Sequence, residues 1–146
     1  MFAITLIAVA AAVAAWLRPI PVAKPAAPQT PAFSEQQISD ARAKVCAAYA
    51  EIHHAVDVNA PRKGGDDPTA QLAVATNMRQ IYIAGSAYLL TKLADEPATP
   101  IDLATATSKV AKLFQALTIE GSVSDPSVEA YNDVNATAET IQSLCK

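Results

Sequence analysis

Two cysteines constrain this chain more than any other residues. Cys46 lies inside the clearest amphipathic run, and Cys145 is the penultimate residue. If they pair, they close a loop of roughly 100 residues, worth at most about 4.7 kcal/mol in a chain-entropy account. The first and last elements of the domain must then be neighbours. In an oxidising compartment two cysteines so far apart pair by default; in the cytosol they would be two buried free thiols. Which applies depends on the compartment that the N-terminus directs the domain to.

The run around Cys46, Ser34 to Val58, explains why the chain is helical. Ser34 with Gln37 forms an S-x-x-Q capping box, and Phe33 with Ile38 has the spacing of a hydrophobic staple. Ile38, Ala41, Val45, Ala48, Tyr49, Ile52, Ala55 and Val56 then recur at intervals of three and four, one apolar stripe at the helical period. Pro61 marks the stop.

Met1 to Leu17 carry no charge and a single hydroxyl, Thr5. A span needs about 20 apolar residues, with about 17 at the short end. Residues 1–17 therefore read as a transmembrane anchor or a signal segment. Trp16 occupies the place of an interfacial aromatic, which favours the anchor. No basic residue precedes Arg18, as a start placed too far downstream would produce. The positive-inside rule favours an outward-facing domain only if a basic lead exists upstream. Residues 18–32 follow as a linker; five prolines between Arg18 and Pro31 dictate an extended, semi-rigid spacer. An anchored, extracytoplasmic domain at 33–146 is the expectation, and it makes a Cys46–Cys145 disulfide the expected pairing.

Three further helices are announced by one device, a capping residue before proline: Asp67-Pro68, Thr99-Pro100 and Asp125-Pro126. The second helix runs to about Leu93. Its apolar residues are spread so widely that it is expected to be the most buried of the set, with Ala84-Gly85-Ser86-Ala87 admitting a close neighbour. The third spans Pro100 to Leu117 with Leu103, Ala106, Val110, Leu113, Phe114 and Leu117 on one face, ending before Gly121. The fourth carries a stripe of Val128, Tyr131, Val134, Ala138, Ile141 and Cys145. Alanine is abundant and aromatics are few, which favours closely packed helices. Short connections complete the expected class: all-α, a disulfide-closed antiparallel four-helix bundle behind an N-terminal transmembrane helix and a Pro-rich linker.

The residues that carry chemistry are few. The net charge of −3 gives no reason to expect a nucleic-acid partner. Of eleven Lys/Arg, two precede Phe33, leaving nine against fourteen Asp/Glu in the domain. No G-x-S-x-G occurs, and Gly64-Gly65 is followed by acid where a phosphate loop needs lysine. His53 and His54 point about 100° apart on a helix and cannot chelate one ion, so no metal or cofactor is expected. His53 and Asp57 are spaced to pair. Tyr49 and His53 are one turn apart and are the only candidates for ligand binding, haem included. Small secreted actinobacterial haemophores look similar in outline: helical, with one disulfide and a Tyr/His pair.

Several segments in order, Val45-Cys46-Ala47-Ala48-Tyr49, Leu72 to Asn77 with Arg79, Gly85 to Leu89, Pro97 to Pro100 with Asp102-Leu103-Ala104, and Leu144-Cys145-Lys146, resemble the mycobacterial alanine- and proline-rich membrane proteins. The likeness covers about residues 16–146. It implies a single-pass protein of the cell membrane with its domain on the extracytoplasmic side, and it implies no activity. The expected function is a non-enzymatic interaction module of the cell envelope with a protein partner. The alternative is a carrier of a small ligand, haem or lipid.

Overall fold

The computed structural model describes residues 32–124 and 126–146. The expected membrane segment at 1–17, nearly all of the linker and the expected cap Asp125 lie outside the described residues. Among the described residues there are four helices and no strand, and no helix is long and apolar enough to cross a membrane. Phe33–Lys146 forms one compact unit.

Helix α1 is Glu35–Asn59 and opens with both halves of the capping box. Gln37 N–H donates to Ser34 Oγ at 3.2 Å, and Ser34 N–H to Gln37 Oε1 at 2.9 Å. Helix α2, Pro68–Asp95, starts as expected: the Asp67 carboxylate accepts from Thr69 N–H at 2.9 Å, with proline at the first turn.

The other two starts differ from expectation. Helix α3 is Ile101–Val123 with Pro100, not Thr99, at the cap. The Thr99 hydroxyl is turned back, donating to Glu96 O at 2.6 Å. Asp102 accepts from Leu103 N–H at 2.9 Å and places its charge at the helix N-terminus, where the dipole favours it. Helix α4 is Val128–Leu144, capped by Ser127, whose Oγ accepts from Ala130 N–H at 3.1 Å. Nor does α3 stop before Gly121. A helical glycine costs only about 1 kcal/mol, and the chain leaves the helix at Ser124, two residues ahead of Pro126.

Cross-helix contacts fix the directions. Along α1 and α2 the partners are Lys44 with Glu96, Glu51 with Tyr88, and Asn59 with Asn77. One number rises as the other falls, so the helices are antiparallel. The same holds for α2 with α3, where Tyr82 stacks on Phe114 and Arg79 lies beside Gly121. On α3 and α4, Ile101 to Lys109 line a groove with Ala136 to Thr140, while Gly121 meets Pro126.

Helix α3, flanked by α2 and α4, supplies the largest share of the core: Leu103, Ala106, Thr107, Val110, Ala111, Phe114 and Leu117 are all buried. This corrects the expectation that α2 is the most buried. Leu72 and Ile83 of α2 are more than half exposed, and only Tyr82, Gly85, Ser86 and Leu89 are buried. Breadth of apolar sequence counts available side chains. Both α2 and α3 have a helix on each flank, but most apolar residues of α3 fall on one face and are covered, whereas those of α2 are spread round the helix and some, such as Leu72 and Ile83, face solvent. The expected close approach occurs at Gly85, where an added Cβ would lie 2.7 Å from Ile52 Cγ2. The Ser86 and Thr107 hydroxyls are buried without a hydrogen-bond partner.

The α1–α4 seam is narrower than the other three. The expected disulfide joins Cys46 to Cys145, Cα atoms 5.7 Å apart. Arg42 donates to the Leu144 carbonyl beside it. Farther along α4 the expected stripe does not reach the core: Val128 is 77 % and Tyr131 42 % exposed.

Candidate functional site

The candidate ligand residues and the disulfide meet at one place. Cys46, Tyr49 and His53 occupy successive turns of one α1 face, and the capped C-terminus of α4 brings Gln142, Cys145 and Lys146 across from them. Together with Ala50 these residues line an open groove of about 370 Å³.

Within it, both nitrogens of His53 are engaged. Nδ1 lies 2.7 Å from Asp57 Oδ2, the expected one-turn pair. Nε2 lies 2.9 Å from Gln142 Nε2. With Nδ1–H donated to the carboxylate, Nε2 is the acceptor and the Gln142 amide donates to it. A metal or haem iron would reach Nε2 only by displacing Gln142. The Tyr49 and His53 rings are 5.6 Å apart and inclined by 57°, so they touch without stacking face to face. Tyr49 is buried, and burial first, then the Asp57 carboxylate, pushes its phenol up to about 12. At neutral pH it is a neutral hydroxyl, not a phenolate ligand. His54, by contrast, is exposed on another face. No group of three or more His, Cys, Asp or Glu able to hold a metal occurs among the described residues. Across the groove, the His53–Gln142 hydrogen bond and the disulfide tie α4 to α1. Gln142 was not singled out in the sequence because nothing local ties it to a histidine 89 residues away.

A second feature lies at the other end of the domain. Antiparallel packing places the end of α1, the start of α2, the end of α3 and the start of α4 together. Among the described residues, six of the nine exposed large hydrophobic side chains belong to these termini: Val58, Leu72, Ile119, Val123, Val128 and Tyr131. α1, about 37 Å long at 1.5 Å per residue, separates this end from Phe33. The clustering was missed in the sequence for two reasons. Ile119 and Val123 fall beyond the expected end of α3, and Val128 and Tyr131 read as core.

A groove between α3 and α4, about 500 Å³ and open to solvent, is lined by Ile101, Thr105, Ala106, Lys109, Thr137 and Thr140 among others. It is apolar and shallow, and it brings no reactive groups together.

No family model, curated protein or solved structure matches the chain. The likeness to the alanine- and proline-rich membrane proteins therefore rests on the residues quoted for it.

Proposed function

We propose that the chain is a membrane-anchored, extracytoplasmic interaction module of the cell envelope, non-enzymatic, which binds a protein partner through the bundle end opposite Phe33. The observation that carries this reading is the gathering of exposed apolar side chains at that end. Scattered surface hydrophobics need no explanation, but a cluster at one end of a small domain is the usual mark of a docking site. The disulfide supports an oxidising compartment. Residues 1–17 supply an apolar stretch that suits an anchor, and the proline-rich composition of residues 18–32 suits a spacer.

Full-length protein carrying Val123→Ser and Val128→Ser, extracted from its own membranes in mild detergent, tests the reading. Wild type is expected to retain a partner protein that the variant loses, with the helical circular dichroism unchanged. Identical co-purifying proteins for both would sink it. Native mass spectrometry of the same extract addresses the carrier alternative, which requires a discrete bound mass of a few hundred daltons.

A further inference from the structure

We infer that the corner where α3 meets α4 docks a basic, amphipathic segment of the partner protein, an inference that rests on the interaction reading above. Four of the exposed hydrophobics lie within this corner: Ile119 at 68 %, Val123 at 84 %, Val128 at 77 % and Tyr131 at 42 % exposure. Ile119 and Val123 are one turn apart at the end of α3; Val128 and Tyr131 are three apart at the start of α4. They offer two short apolar ridges on consecutive helices.

Charge decides what covers them. From Leu113 to Cys145 the chain has no Lys, Arg or His, while Glu120, Asp125, Glu129, Asp133 and Glu139 all fall in that interval. Glu129 and Asp133 are exposed, one turn apart on α4, and neither forms an ion pair among the described residues. The bases at this end lie on other elements or farther back: Arg79 of α2, whose Nε lies beside Gly121, Arg62 and Lys63 in the loop between α1 and α2, and Lys112, two turns back from Ile119 on α3. The side chains that α3 and α4 themselves place around the apolar corner are therefore acidic, with no base among them. A second copy would set the same carboxylates against each other across a two-fold axis. An anionic lipid surface meets the same repulsion. A segment with apolar residues on one face and Lys or Arg flanking them satisfies both features, filling the ridges and neutralising the rim.

The test uses the full-length protein in detergent and two synthetic helical peptides with the same leucine face, one flanked by lysines and one by glutamates. The lysine peptide is expected to bind at least tenfold more tightly than the glutamate peptide. Glu129→Gln with Asp133→Asn is expected to weaken it several-fold, and Val123→Ser with Val128→Ser to do the same. Glu139→Gln, about 15 Å along α4 from Glu129, is expected to leave it unchanged. Equal binding of the two peptides, or an effect of Glu139→Gln as large as that of the Glu129/Asp133 pair, overturns the inference.

A photoreactive residue placed at 123 or 128 in native membranes separates this inference from the reading beneath it. The expected adduct is a partner segment bearing Lys or Arg beside apolar residues. A partner segment without basic residues overturns the inference and leaves the interaction reading standing. Adducts to lipid, to a second copy or to residues 1–31 of the same chain overturn the inference. No protein adduct at either position overturns both.

Discussion

Ile52 of α1 lies over Gly85 of α2 so closely that a methyl group on residue 85 would sit 2.7 Å from Ile52 Cγ2. The contacted carbon is a branch at Cβ, held by a stiff χ1, and cannot swing aside as a long side chain would. Gly85→Ala should gain up to about 1 kcal/mol of helix propensity and lose about 1–3 kcal/mol to overpacking. A net destabilisation is expected in urea unfolding. In an Ile52→Ala background the same substitution should become stabilising. Additive effects of the two changes would show that the helices do not meet there.

Cys46 and Cys145 close most of the domain, 99 residues apart in sequence. Replacing both by serine should lower unfolding stability by about 2–4 kcal/mol, short of the entropic ceiling of about 4.7 kcal/mol. Thermal unfolding with and without a reducing phosphine checks this. Because the α1–α4 seam has few other ties, hydrogen exchange in the last two turns of α4 should accelerate first on reduction. Uniform acceleration across all four helices would contradict that.

Thr107, fully buried on α3, holds a hydroxyl with no partner, and so does Ser86 on α2. An unsatisfied buried polar group costs about 1–3 kcal/mol. Thr107→Val keeps the shape and removes the polar atom, so it is expected to stabilise by about 1 kcal/mol. Ser86→Ala should act in the same direction. Destabilisation by Thr107→Val would mean that the hydroxyl is satisfied.

Tyr49 and Tyr82 both have phenols pushed up to about 12, chiefly by burial. In the unfolded chain they ionise near the ordinary value of about 10. Between these values the folded state holds more protons than the unfolded one, so stability is fully present below about pH 10 and falls as pH rises towards 12. Absorbance near 295 nm should show these two phenolates emerging only with alkaline unfolding, and Tyr49→Phe should flatten the loss. Early titration of all four tyrosines in folded protein would refute the burial.

The parts of the fold legible in the sequence were those set by local chemistry. The Ser34–Gln37 box and the Asp67–Thr69 cap require only neighbours in the chain, and both form as expected. The start of α3 moved because its expected capping hydroxyl was drawn back to a carbonyl, leaving Pro100 at the cap without a side-chain hydrogen bond, and that of α4 because another hydroxyl took the cap. Thr99 turned to Glu96, and Ser127 reached Ala130. Core membership was less legible. The stripe on α4 keeps the right period back to Val128, but period alone does not say which residues another helix covers, and Val128 is exposed. Of the site, His53 and Asp57 were readable as a one-turn pair, but Gln142 is positioned by tertiary structure alone.

The disulfide also sets how the domain would bear tension. A pull between Phe33 and Lys146 runs through residues 33–46, most of them in α1, across the sulfur–sulfur bond, and out through Cys145. Everything between Ala47 and Leu144 is bypassed and carries no load, including the core of α3 and the apolar far end. A pull between Phe33 and that far end has no covalent shortcut and is resisted by helix packing alone. Oxidised, the domain is therefore a mechanically anisotropic body: along the first path only the turns of α1 before Cys46 can lengthen, whereas along the second the whole packing can yield.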